Sequence, residues 1–143
     1  MIPPYTIRQF EYPKDYLPVI ELWNSAGEGV RVGRSDSTAE IEKKLQRDPD
    51  LFLVVENDQG IIATVLGGFD GRRGLIYHLA VALPYRRLGV AKALMNELER
   101  RLKEKGCIRA YLLLVQGNQE AFHFYTDQNW EALPVTVLAK DID

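Results

Sequence analysis

The chain has 143 residues, 46% of them hydrophobic and 27% charged, the make-up of one ordinary globular domain spanning residues 1–143. A chain of this length buries roughly 68–70% of the surface it exposes when unfolded, enough for a self-sufficient core. Lys and Arg number 18 against 20 Asp and Glu, a formal charge of -2, without the basic excess of a duplex-nucleic-acid binder, so no nucleic-acid partner is expected.

Met1-Ile2-Pro3-Pro4-Tyr5 has neither the basic region nor the apolar stretch of a secretory signal. Tyr5 to Phe10 reads as a short strand, broken by Pro13. Asp15 precedes a helical pattern with Leu17, Ile20, Leu22 and Trp23 on one face, Pro18 in its first turn and Gly27 at its end. The polar stretch Gly27 to Asp36 fits no element. Ser37 followed by Glu40 is a capping-box signature, opening a short helix through about Gln46. Leu51 to Glu56 is a strand, Asn57-Asp58-Gln59-Gly60 a hairpin turn and Ile61 to Phe69 the next strand. Gly67-Gly68 inside it marks a bulge or close packing. The stretch Ile61 to Leu66 falls far short of the ~20 residues a spanning helix needs, so no membrane partner is expected.

Asp70 to Gly74 turns the chain into Leu75 to Ala82, almost wholly apolar, as a central strand buried on both faces would be. Gly89 to Lys105 carries Val90, Ala91, Leu94, Met95, Leu98 and Leu102 on one stripe, a helix stopped by Gly106. Cys107 is the chain's one cysteine. It excludes a disulfide framework and a Cys-rich zinc site, no metal is expected, and it suits the reducing cytoplasm. Arg109 to Val115 reads as a second buried strand, Asn118 to about Gln128 as a helix, and Trp130 to Ala139 as a final strand broken at Pro134. The order is β-α-α-β-β-β-α-β-α-β, an α/β fold with a mixed, mostly antiparallel central sheet flanked by helices on both faces.

Between the apolar strand and the long helix lies Tyr85-Arg86-Arg87-Leu88-Gly89-Val90-Ala91. The first N–H groups of a helix have no intrahelical partner, and the macrodipole adds about half a positive charge there. Gly89 lets a phosphate approach the backbone, small Ala91 exposes the next N–H, and Arg86 and Arg87 add fork-shaped donors. Neither a G-x-x-x-x-G-K-[ST] loop nor a G-x-G-x-x-G fingerprint occurs at this junction. The stretch reads as a phosphate binder that works through main-chain groups.

Here the sequence resembles the Gcn5-related N-acetyltransferase superfamily, as a small single-domain member of bacterial type. The family's [Q/R]-x-x-G-x-[G/A] signature is matched by Arg86, Gly89 and Ala91, with Leu79-Ala80-Val81 and Pro84-Tyr85 just before it. A second block, Asn-x-x-Ala-x-x-Phe-Tyr, appears as Asn118, Ala121, Phe124 and Tyr125, followed by Trp130. Asn129 stands where the family has Gly; Asn tolerates the left-handed backbone. The resemblance implies the acyl-CoA N-acyltransferase fold and acetyl-CoA as co-substrate. Backbone groups of Leu79 and Val81 would pair with the pantetheine arm as with an added strand. Arg86, Arg87, Leu88, Gly89, Val90, Ala91 and Lys92 would hold the pyrophosphate, and Asn118 would touch the arm. Tyr125 would lie near the thioester sulfur.

The implied activity is N-acetyl transfer to a primary amine of a small molecule, peptide or protein by direct attack. A backbone N–H at Leu79–Val81 would hold the oxyanion, and the Tyr125 phenol would protonate the departing thiolate. A non-catalytic acyl-CoA-binding sensor or regulatory module is the alternative, because no base is assigned. The strand offers Tyr77 and His78, and strict alternation puts Tyr77 on the face of Leu75 and Leu79 with His78 opposite. Trp23, Arg31, Arg34, Asp36 and Tyr77 are the candidate acceptor-binding residues, the loop ones because loops carry function. Both monomer and homodimer stay open.

Overall fold

Turn chemistry and crossover length set the sheet. In the computed structural model, which describes residues 3–143, five strands lie in the order β1-β2-β3-β4-β5. These are β1 (Thr6–Gln9), β2 (Phe52–Asn57), β3 (Gly60–Phe69), β4 (Gly74–Val81) and β5 (Ala110–Leu112). Met1 and Ile2, where the N-terminal reading began, lie outside the described residues. The β2–β3 hairpin closes tightly because Asn57 Oδ1 accepts the Gln59 N–H at 2.8 Å and Gly60 takes a φ of +115°. The β1–β2, β2–β3 and β3–β4 pairings are antiparallel. A helix separates β4 from β5, and these two pair in parallel.

The helices are α1 (Tyr16–Ser25), α2 (Thr38–Arg47), α3 (Val90–Glu104) and α4 (Gln119–Thr126). Ser37 caps α2 as its spacing requires, its Oγ accepting the Glu40 N–H at 3.4 Å. Val19, Leu22 and Trp23 of α1 share a buried cluster with Phe52, Val54, Leu66 and Ala80 from one face of the sheet. On the other face, a Cβ at Gly67 would stand 2.8 Å from Leu98 Cδ1 of α3. Gly67 is therefore there for close packing. The bulges lie elsewhere, on β3 opposite Val55–Glu56 and on β4 between Tyr77 and Ala80.

The chain divides into two compact units, one ending at Leu113 and the other spanning Leu114–Asp143. The second holds α4, whose N-cap Asn118 accepts the Ala121 N–H at 3.2 Å. After it Asn129 takes the left-handed backbone, φ +70°, that its place in the motif demanded. Leu17, expected on the apolar face of α1, is 68% exposed, and the expectations for three strands fail. Trp130 to Ala139 forms no strand. β5 is three residues long and half-buried, not a long buried strand. Leu75 is exposed and Tyr77, His78 and Leu79 are half-buried, so β4 is not covered on both faces along its length. Among the described residues no helix is long and apolar enough to cross a membrane.

Candidate active site

The C-terminal half of β4 is built differently from the rest of the sheet. Thr64 pairs with Ala80 and Leu66 with Tyr77, so His78 and Leu79 form a bulge with no partner on β3. His78 carries the bulge, with φ +57°, an uncommon backbone for a residue with a Cβ. On its other side β4 pairs with β5 over Gly74–Ile76 alone. From Tyr77 to Val81 that edge has no strand neighbour among the described residues. An unpaired edge offers N–H and C=O groups to an extended ligand.

Leu83–Tyr85 forms a single 3₁₀ turn that leads from this edge to α3. Arg86 ties the two together, its Nε donating to the Val81 carbonyl at 2.9 Å. Arg87 and Gly89 both take left-handed backbone, φ +62° and +86°, and Gly89 has open space where a Cβ would stand. The first helical bond runs from the Ala93 N–H to the Gly89 carbonyl at 3.1 Å. The N–H groups of Val90, Ala91 and Lys92 therefore start α3 without intrahelical acceptors. Arg87, Leu88 and Lys92 are exposed, Arg86 and Ala91 half-exposed, and Val90 is buried. Such a helix start suits a phosphate or pyrophosphate.

The bulge overturns the strict alternation expected of β4. Tyr77 packs on the α1-side cluster, and the His78 ring lies 4.7 Å from the Trp23 ring of that same cluster. Both side chains thus face α1, because the extra residue shifts the alternation by one. Trp23 is fully buried, so it lies beneath the site rather than lining it. Its Nε1 donates to the His78 carbonyl at 3.2 Å and holds the bulge in place.

Asp36 reaches this point from the stretch between α1 and α2, which holds two 3₁₀ turns, Gly27–Gly29 and Arg34–Asp36. Its Oδ2 lies 3.1 Å from His78 Nε2 and accepts the Gly33 N–H at 3.0 Å. Its carbonyl accepts the Tyr16 hydroxyl at 2.9 Å. Burial alone would push the Asp36 carboxyl up; the His78 ring and the Gly33 N–H outweigh it and hold it below its usual value. Tyr77 moves the other way, pushed up by burial and by the negative charges of Asp36 and Asp48. Arg31 and Arg34 are exposed on the same stretch. The Asp36–His78 pair bridges 42 residues of sequence, so no local spacing announced it. Its one visible signal was two polar rings in an apolar strand.

In the second unit Tyr125 is half-buried on α4, its ring 6.2 Å from Trp130 and 5.2 Å from Phe124. Burial pushes its phenol up to about 12. The Asn118 side-chain oxygen is engaged in capping α4. Among the described residues no group of three or more His, Cys, Asp or Glu could hold a metal ion.

A family model described as acetyltransferase (GNAT) matches residues 12–130. The chain belongs to the GNAT acetyltransferase family. One relative is a protein of Pectobacterium atrosepticum named acetyltransferase, 36% identical over 126 residues that cover 88% of each chain. Among solved structures, Ard1 from Thermoplasma volcanium superposes with a TM-score of 0.75 at 25% identity, covering 87% of this chain and 80% of that one. AAC(6')-Iy, solved in complex with the bisubstrate analog CoA-S-monomethyl-acetylneamine, gives 0.76 at 17% identity, covering 98% and 99%. The last likeness speaks for the fold alone. The five-stranded mixed sheet with its four helices is the GNAT fold.

Proposed function

We propose that this GNAT protein transfers an acetyl group from acetyl-CoA to a primary amine of a small molecule, peptide or protein by direct attack. The observation that carries the reading is the edge of β4 from Tyr77 to Val81, without a strand neighbour among the described residues, leading through one 3₁₀ turn to a helix start whose first three N–H groups have no intrahelical acceptor. An extended arm that ends in a pyrophosphate fits that pair of features. Leu79 and Val81 would bond the arm as a strand, and residues 86–92 would hold the phosphates. Bound there, acetyl-CoA supplies an activated acyl carbon. The bulge takes His78 and Leu79 out of register with β3, and a backbone N–H of this part of β4 would hold the oxyanion of the acyl-transfer transition state.

On this reading Tyr125 gives a proton to the departing thiolate and Asn118 touches the cofactor arm. Tyr77, Arg31, Arg34 and Asp36 border the acceptor, with Trp23 supporting them from below. The 119-residue span of the family match crosses both compact units, which supports one catalytic domain; on this reading it extends over residues 1–143 and acts in the cytoplasm. The test is CoA release from acetyl-CoA with a panel of amines. The panel holds spermidine, glucosamine 6-phosphate, an aminoglycoside, a peptide with a free N-terminus and a peptide with one lysine. At least one amine should raise release well above hydrolysis. Calorimetric binding of acetyl-CoA with no turnover on any amine would make the chain a cofactor-binding module instead.

A further inference from the structure

Acyl transfer needs the amine as a free base, and the two side chains best arranged to supply a proton acceptor are His78 and Asp36. We propose that His78 takes the proton from the incoming amine and that Asp36 is its positioning residue. This deepens the acetyltransferase reading above and rests on it.

The argument starts from the hydrogen bond between Asp36 Oδ2 and His78 Nε2 at 3.1 Å. A carboxylate can only accept, so the proton of the neutral imidazole sits on Nε2 and Nδ1 carries the lone pair. Among the described residues Nδ1 has no hydrogen-bond partner. The carboxylate side chain is 5% exposed and the His78 side chain 20%, so the pair has a buried end and an open end. Three groups hold that orientation. Gly33 N–H fixes the carboxylate, the Trp23 ring lies against the imidazole, and the Trp23 indole N–H binds the His78 carbonyl. His78 also belongs to the bulge whose backbone would hold the oxyanion, so base and oxyanion donors sit on adjacent residues of one strand. Among the described residues, Tyr77 from β4, at 5.7 Å ring to ring, and Asp36 are the titratable groups seen against His78; the Tyr16 hydroxyl of α1 donates to the Asp36 carbonyl.

The proton count closes. An alkylammonium acceptor loses one proton to His78 Nδ1, which passes it to water. The freed lone pair forms the C–N bond to the acyl carbon, and the C–S bond breaks with its electron pair on sulfur. The second amine proton leaves the nitrogen as the amide forms and replaces the one Tyr125 gives to the thiolate.

His78→Gln keeps an N–H for Asp36 and removes the proton acceptor. With the panel amine that the wild type turns over fastest, kcat/KM should fall by about 10²–10⁴-fold. The acidic limb of its pH profile should vanish, and acetyl-CoA affinity by calorimetry should stay within about twofold. A variant that keeps both rate and acidic limb, or loses rate equally at every pH with the limb intact, overturns the proposal and leaves the transferase reading standing. Wild type that turns over no amine removes the transferase reading and the base with it. Nitrogen-15 NMR of the wild-type protein gives a check that needs no variant: His78 should carry its proton on Nε2 at pH 8, and a proton on Nδ1 instead overturns the assignment.

Discussion

Burial pushes the Tyr125 phenol up to about 12, so at neutral pH this residue holds its proton and can act as a donor. A phenol so raised is a weaker acid than a free one, and a thiol in water is near 8.5. The mismatch narrows in a dry site, since burial raises a thiol as it raises a phenol. Tyr125→Phe keeps the ring against Trp130 and removes the proton. Turnover should fall by roughly 10²–10⁴-fold with acetyl-CoA affinity little changed. Turnover within a factor of two of wild type would leave Tyr125 a packing residue. At this scale the sequence was an uneven guide. Asn129 was readable, because its left-handed backbone follows from its place after α4. The Asp36–His78 contact was not, because it depends on a bulge that nothing in Tyr77-His78-Leu79 specifies.

Among the elements, α3 and its loop carry the clearest test. Asp at position 89 can adopt the left-handed backbone at a cost of about 1–2 kcal/mol, and no atom lies within 4 Å of the site its Cβ would occupy. Gly89→Asp should therefore fold while it sets a carboxylate against the bound phosphates. Acetyl-CoA binding should weaken by about 1–3 kcal/mol or more in calorimetry. Unchanged affinity in a folded variant would take the phosphates away from this loop. The helices were legible because each pairs a 3.6-residue stripe with a local start or stop, Ser37 before α2 and Gly106 after α3. Strand limits were less so. Val135 and Val137 alternate as in a strand yet stand 70% and 63% exposed with no partner in the second unit, because pairing is decided by neighbours distant in sequence.

For the molecule as a whole, two of the buried carboxylates, Asp15 and Asp36, tie stability to acid pH. Burial alone would raise the Asp15 carboxyl, but Arg8 Nη1 at 2.6 Å and the Glu11 N–H at 2.8 Å hold it low. Asp36 is held low in the same way by His78 and Gly33. A carboxyl that titrates lower when folded contributes its full stability above the unfolded value, about 3.9. That contribution is lost as the pH falls through the lower folded value. Asp15→Asn should thus melt below wild type at pH 7, by ~3 kcal/mol for a broken buried pair. The two melting temperatures should converge as the pH drops below ~3.9. A gap that stays constant from pH 7 to pH 2 would show that Asp15 acts through shape and not charge.

The stretch from Gly27 to Asp36 hangs from its two ends. Val30 is buried in the α1-side cluster and Asp36 beneath His78, while every residue from Arg31 to Ser35 is exposed. Clamped so, the stretch holds its exposed side chains on a backbone fixed at both ends, with the Gly33 N–H tied to Asp36. On the proposed reading, in which this stretch borders the acceptor, changes at the exposed Arg31, Val32 and Ser35 would alter acceptor preference at little cost in melting temperature, so recognition and folding would evolve separately at this rim.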